Sequence, residues 1–280
     1  MKHLFLLALI ITQQTIFSQY YYRDIVTTGE NNVYLSALFN NKVTNITATE
    51  YNNRGQKNTD LNDWQEINYT NRIIRQTTRD RLTKATVYSR FDDQFRLIDL
   101  ADTSGGIINN IKYTYNNKSQ LTYITKHIVE PGLNTNQTEQ YVWSYANDGL
   151  PEKMLRIINQ SDTTEYRFAR DEKGNIGQEQ QYRLNRPFGQ PIFYYYDNKN
   201  RLTDIVRYNT RLKMDMAELM LEYDDQNRVI QKIQVLSSIT KDYVIWRYIF
   251  NDTGLKTKEV LFDKNKDQTG RIDFQYQFAQ

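Results

Sequence analysis

Few of the side chains that usually do chemistry are present. The chain has no cysteine and two histidines, one of them at position 3. Without cysteine there are no disulfides, thiolate metal sites, Cys nucleophiles or thioether lipid anchors. His127 would have to act alone as a general base, beside an acid or nucleophile brought near it in space. Its setting, Thr125-Lys126-His127-Ile128-Val129-Glu130, reads as an ordinary strand end, so a surface or packing role is expected. The 33 acids could supply a glycosidase pair, but no spacing selects two of them. Asp263-Lys264-Asn265-Lys266-Asp267 alternates oxygen ligands as calcium loops do. Lysines interrupt it, and Phe274 stands where a bidentate Glu is needed, so a plain turn is expected. No glycine-rich phosphate loop occurs. The expectation is a chain without cofactor, metal or catalytic residues, and not an enzyme.

The elements that must position the remaining residues start with an address. Lys2 and His3 precede the apolar run Leu4 to Ile11, and Thr12 to Ser18 is more polar. That run is too short to span a bilayer and fits a secretory signal peptide, residues 1–18. Residues 19–280 then form one domain, with 19–44 a non-repeat cap or edge strand. The formal charge of +3 and the lack of any Lys/Arg run make nucleic acid and anionic membrane poor partners. Aromatics make up 13% of the residues, which argues against disorder.

A repeat occupies the rest. An aromatic anchor recurs at Tyr51, Phe91, Tyr115, Tyr145, Tyr196, Tyr223 and Phe250, with Arg170 in the anchor place of one unit, and Asp or Asn follows in seven of the eight, Ala146 being the exception. From Phe91 onward the anchors are 24, 30, 25, 26, 27 and 27 residues apart, and the first interval is 40. Asp and Asn side chains start turns by bonding to backbone two residues on, and Gly or Asn accepts the left-handed conformation that ends them. Each unit therefore predicts a tight β-hairpin, with Gly174 and Gly254 at positive φ and with Phe95 and Ser119 as misfits. Period-two alternation puts Tyr113/Tyr115, Trp143/Tyr145, Tyr194/Tyr196 and Tyr248/Phe250 on one face, as packing rungs. The opposite face is mostly polar. Arg211 to Met220 reads as turn plus strand.

Tyr196-Asp197-Asn198-Lys199-Asn200-Arg201-Leu202 and Tyr223-Asp224-Asp225-Gln226-Asn227-Arg228-Val229 resemble the YD repeat of Rhs-type secreted proteins. The resemblance extends over about residues 45–280, and Phe91 to Leu97 is close to it. It implies consecutive antiparallel hairpins wound into a long curled meander sheet or a β-solenoid-like body, and an exported location. No Asp-Pro-rich self-cleavage motif or non-repeat domain after the last unit accompanies it.

An all-β, exported, non-enzymatic binding or scaffolding element of the cell envelope or surface follows as the expected function. The partner would be an envelope protein or glycan, with no membrane span and no lipid anchor, in the periplasm or outside the cell. The aromatic face should be core, so binding falls to the inter-hairpin turns, with Asp102, Ser104, Arg186, Phe188 and Gln190 as the contact residues. Asp162-Thr163-Thr164 matches a short O-glycosylation acceptor pattern, which makes Thr163 a candidate modification site on a turn. The rival readings are a secreted carbohydrate-active enzyme and an orphan fragment of a toxin-delivery Rhs-type protein.

Overall fold

The computed structural model describes residues 21–103, 107–237 and 242–279, so the predicted leader and Ser104 lie outside the described residues. One helix, α1 (Tyr21–Asn40), precedes eighteen strands. These are β1 (Val43–Asn52), β2 (Asn62–Asn68), β3 (Ile73–Arg79), β4 (Lys84–Phe91), β5 (Leu97–Asp102) and β6 (Ile108–Tyr115). Then come β7 (Leu121–Glu130), β8 (Thr135–Tyr145), β9 (Pro151–Ile158), β10 (Asp162–Arg170), β11 (Ile176–Arg183) and β12 (Arg186–Tyr196). The last are β13 (Leu202–Asn209), β14 (Met214–Tyr223), β15 (Val229–Ser237), β16 (Asp242–Phe250), β17 (Lys256–Phe262) and β18 (Gln268–Phe278). Arg211 to Met220 is turn and strand, as expected.

Every strand pairs antiparallel with the next, and β18 returns to pair with β1, from Val43 opposite Phe278 to Asn52 opposite Gly270. The product is a closed up-and-down barrel of eighteen strands, which corrects the expected long curled meander sheet or β-solenoid-like body. A meander of twisted strands coils on itself, and once first and last strands meet, pairing satisfies two edges that would otherwise expose unbonded backbone. The expected cap or edge strand at 19–44 is mainly helix. Ile25, Val26, Thr27, Thr28 and Gly29 are poor helix formers, so tertiary packing holds α1.

Alternation sorts each strand between lumen and outer wall. Leu97, Leu100, Ile111, Leu121, Ile124, Tyr141, Trp143, Met154, Ile176, Tyr194 and Ile205 are buried inside. The aromatic face is therefore core, as alternation predicted. The outer wall carries charged pairs: Glu66 with Arg75, Arg90 with Asp99, Glu165 with Arg167, and Arg271 with Asp273.

Because the chain runs up and down, its turns divide between two rims. The repeat's turns after β4, β6, β8, β10, β12, β14 and β16 share one rim with the start of β1. The turn at Asn52 opens on the opposite rim, which explains the 40-residue first interval. Helix α1 lies across the repeat rim. Near its start Tyr22 packs edge-on against Tyr194, ring centroids 4.9 Å apart, and its hydroxyl lies within hydrogen-bond distance of that of Tyr196 at 3.1 Å. Near its end Phe39 stacks on Phe95 at 4.3 Å and meets Tyr69 and Phe91. The helix thus runs from β12 to strands nearly half the circumference away. Leu35, Leu38 and Phe39 are buried beneath it, while Thr27, Glu30 and Val33 face solvent.

Candidate functional site at the rims of the barrel

Each repeat turn is built by one carboxylate or amide. Asp197 Oδ1 accepts from the N–H groups of Lys199 and Arg201 at 2.8 and 2.9 Å. The Arg201 N–H and then its side chain hold the Asp197 carboxyl below the usual carboxylate range. The same pair of bonds recurs at Asp92, Asn116, Asp171, Asp224 and Asn251. Gly174 and Gly254 hold φ of 86° and 82°, and the misfits Phe95 and Ser119 hold 59° and 62°.

Arginine and tyrosine then tie each turn to the next. Arg201 Nε donates to Asp197 at 2.7 Å, its guanidinium lies 4.8 Å above the Tyr223 ring, and Nη1 donates to the Asp224 carbonyl at 2.8 Å. Arg228 repeats this toward Phe250 and Asn251, and Arg96 lies over Tyr115. The anchor hydroxyls bond backward: Tyr115 donates to Leu97 O, Tyr145 to Leu121 O, Tyr196 to Ile176 O and Tyr223 to Leu202 O, at 2.7–2.9 Å. The repeat's chemistry is consumed in building this rim. Asp263 is consumed likewise on the opposite rim, accepting from Asn265 and Asp267 N–H at 2.9 and 3.0 Å. Among the described residues no cluster of His, Cys, Asp or Glu could hold a metal ion.

The interior also buries charge, which sequence reading missed because Glu139 meets Arg156 only across neighbouring strands and Lys256 and Glu259 on β17 match no motif. Glu139 accepts from the Tyr141 hydroxyl, from Arg156 at 2.8 Å and from Gln137 at 2.8 Å. Burial would raise its carboxyl, but the Tyr141 hydroxyl and the Arg156 charge hold it below the usual range. Glu179 accepts from the Tyr194 hydroxyl at 2.7 Å and from the Tyr22 N–H at 3.0 Å. Glu259 accepts from Lys256 Nζ at 2.6 Å. These groups satisfy one another and the helix start.

The rim opposite α1 holds most of the expected contact residues. Asp102 is half-buried at the end of β5. Arg186, Phe188 and Gln190 are exposed, but they belong to β12 and not to a linking turn, which corrects that placement. The turn itself is Leu184-Asn185, both at positive φ; residues 183–190 are exposed, and Arg167 of β10 donates to the Asn185 side-chain oxygen. Thr163 is exposed as the second residue of β10, two residues past the turn expected to carry it. His127 faces the outer wall, with Nδ1 3.1 Å from the Thr138 hydroxyl. Sequence reading missed the leucines of this rim. Leu82 is 94% exposed, Leu133 68% and Leu184 99%. Their only signal was an apolar residue inside a turn, as in Arg81-Leu82-Thr83.

On the outer wall a shallow recess of about 410 Å³ lies between β10 and β12, lined by Ala169, Arg170, Lys173, Gly177, Phe193 and Tyr195. Gly177 leaves it open: a Cβ there would come within 3.1 Å of Asp171.

No protein-family model matches the chain, and no curated protein does. Solved structures similar to it include a TcdB2-TccC3-Cdc42 crystal structure, at 15% identity and a TM-score of 0.33 over 75% of this chain and 11% of that one. A Photorhabdus luminescens Tc holotoxin pore carrying a TccC3 mutation matches at 13% identity and a TM-score of 0.35, over 78% and 12%. A porin-like protein from Bacteroides uniformis matches at 12% identity and a TM-score of 0.38, over 84% of this chain and 98% of that one. The chain spans about a tenth of the Tc toxin chains it matches. The likeness includes a TccC3-containing toxin, and no family model confirms the YD repeat. At these TM-scores the likenesses carry no argument about activity or location.

Proposed function

We propose that this chain is an exported, non-enzymatic YD-like repeat barrel, acting as a binding or scaffolding element of the cell envelope. The observation that carries the reading is how the interior is spent. Aromatic rungs, ion pairs and α1 fill the lumen at the repeat rim, which leaves the wall and the opposite rim for contact. Repeat folds present such extended surfaces to protein or glycan partners. The wall does not suit lipid chains. A transmembrane barrel turns an apolar band outward, and an Arg or Lys on that band costs about 2–4 kcal/mol at mid-membrane. Here Arg75, Arg90, Arg167 and Arg271 all lie on the wall. On this reading the barrel lies beside membranes, not through them.

Fractionation of the native host, with intact-mass measurement, tests this. The expected result is a soluble or peripherally held envelope protein lacking Met1 to Ser18. A cytoplasmic chain retaining Met1 would overturn export, and resistance to carbonate extraction would overturn the polar-wall argument.

A further inference from the structure

We propose that the rim opposite α1 docks onto a phospholipid bilayer surface, with Leu82, Leu133, Leu184 and Leu212 as shallow insertion tips. The inference rests on the reading of an exported, non-spanning barrel and names what one rim meets.

The two rims differ in kind. In the seven repeat turns from Asp92 to Gly254, the third and fourth motif positions hold Asp93-Gln94, Asn117-Lys118, Asn147-Asp148, Glu172-Lys173, Asn198-Lys199, Asp225-Gln226 and Asp252-Thr253. None is apolar. On the opposite rim the tips hold leucine after β3, β7, β11 and β13, with Leu82 and Leu184 almost wholly in solvent. Nothing about a turn requires leucine, since turn chemistry favours Gly, Asn, Asp and Ser. Four such tips share one rim, Leu133 68% and Leu212 38% exposed beside the two almost bare ones, and the seven repeat turns carry none at those positions, so the two rims present different chemistry.

The spacing favours a bilayer over a protein pocket. Neighbouring strands are about 4.8 Å apart, so the tips after β3, β7 and β11, four strands from one another, stand about 19 Å apart, and the tip after β13 lies about 10 Å beyond. Single leucines spread over an arc at that spacing do not form one continuous patch that a folded partner would cover. A planar fluid surface accepts each tip separately. Charge agrees: Arg81-Leu82, Arg183-Leu184-Asn185-Arg186 and Arg211-Leu212-Lys213 place cations beside three tips. Arg81 is exposed even where it meets Asp60 at 2.7 Å, and the Arg183 guanidinium lies 4.8 Å over the Phe188 ring. Side chains so placed reach phosphate headgroups while the leucine enters the acyl boundary. A near-neutral whole chain hides this, because the cations that matter sit next to the tips.

Sedimentation of the mature chain with vesicles of equal parts phosphatidylglycerol and phosphatidylethanolamine tests it. The wild type is expected to sediment with them, and less at raised salt, since exposed charges are screened. Leu82→Ser/Leu184→Ser should weaken binding about tenfold or more, with thermal unfolding unchanged, because each leucine loses its apolar transfer. Arg183→Gln/Arg211→Gln should weaken binding to these vesicles more than to phosphatidylcholine alone. Wild type that stays in the supernatant, or a double-leucine variant that binds as well as wild type, overturns the proposal. So does light scattering that shows the leucines joining two copies while vesicles are ignored. Either failure leaves the envelope reading standing if fractionation places the chain there, whereas a cytoplasmic chain sinks that reading whatever the vesicles show.

Discussion

A tyrosine at the anchor of a repeat packs its ring inward while its hydroxyl donates to the backbone of the preceding repeat, as Tyr223 does to Leu202 O. That double duty explains why the anchor is so often Tyr. Phe91 and Phe250 keep the ring and lose the bond. At the turns, backbone geometry dominates. Nothing lies within 4 Å of a Cβ built on Gly174 or Gly254, so a side chain there would cost strain alone. Gly174→Val and Gly254→Val should each lower stability by about 1–2 kcal/mol, read by thermal unfolding. Two unchanged melting curves would show the left-handed turn is not required. Asp63 gives a pH signature. It is buried, its Oδ1 has no hydrogen-bond partner, and Oδ2 accepts from Thr78 at 3.2 Å. Burial pushes its carboxyl from 3.8 up to about 7. Between those values the folded protein holds a proton that the unfolded chain has released, so this residue's contribution falls as pH rises through that window. Asp63→Asn should raise the melting temperature at about pH 8 and leave it nearly unchanged near pH 4. Parallel pH profiles for the two proteins would contradict the assignment.

Among the elements, α1 has the least sequence support and the most consequence. Its β-branched stretch and Gly29 do not favour a helix, yet Leu35, Leu38 and Phe39 fall at helical spacing, and they and Tyr22 near the start meet the barrel's aromatic rungs. Thr28 and Ser36 return their hydroxyls to the Asp24 and Asn32 carbonyls, so these polar positions do not compete with the helix. Leu38 is fully buried at the closed rim. Leu38→Ala should cost about 2–5 kcal/mol, measured by chemical denaturation. A loss well under 1 kcal/mol would mean the rim stays packed without α1's anchor.

For the whole molecule, closure is the deciding property. β1 and β18 pair along their lengths, from Val43 opposite Phe278 to Asn52 opposite Gly270. Removing β18 would leave β1 and β17 as exposed edges beside an opened aromatic core, a template for pairing between chains. A chain ending at Asp267 is expected to self-associate, seen as a shift to large species in light scattering, whereas the full chain stays discrete. A monodisperse truncated chain would show that the sheet tolerates an open seam.

What the sequence determined by itself was local. An Asp or Asn bonding two residues ahead, a residue that tolerates positive φ, and strict alternation on either side suffice to write each hairpin and to mark Trp143, Tyr194 and their kind as core. Those rules act within about ten residues and need no partner from elsewhere. The tertiary structure alone decided that eighteen strands close, that 21–40 is a helix lying across one rim, and that Leu82 and Leu184 share the other. Closure rests on accumulated twist and on the meeting of strands at opposite ends of the chain. The helix rests on an aromatic floor that exists only once the barrel has formed. The composition of a rim is set by which turns point the same way, and that depends on strand parity along the whole chain.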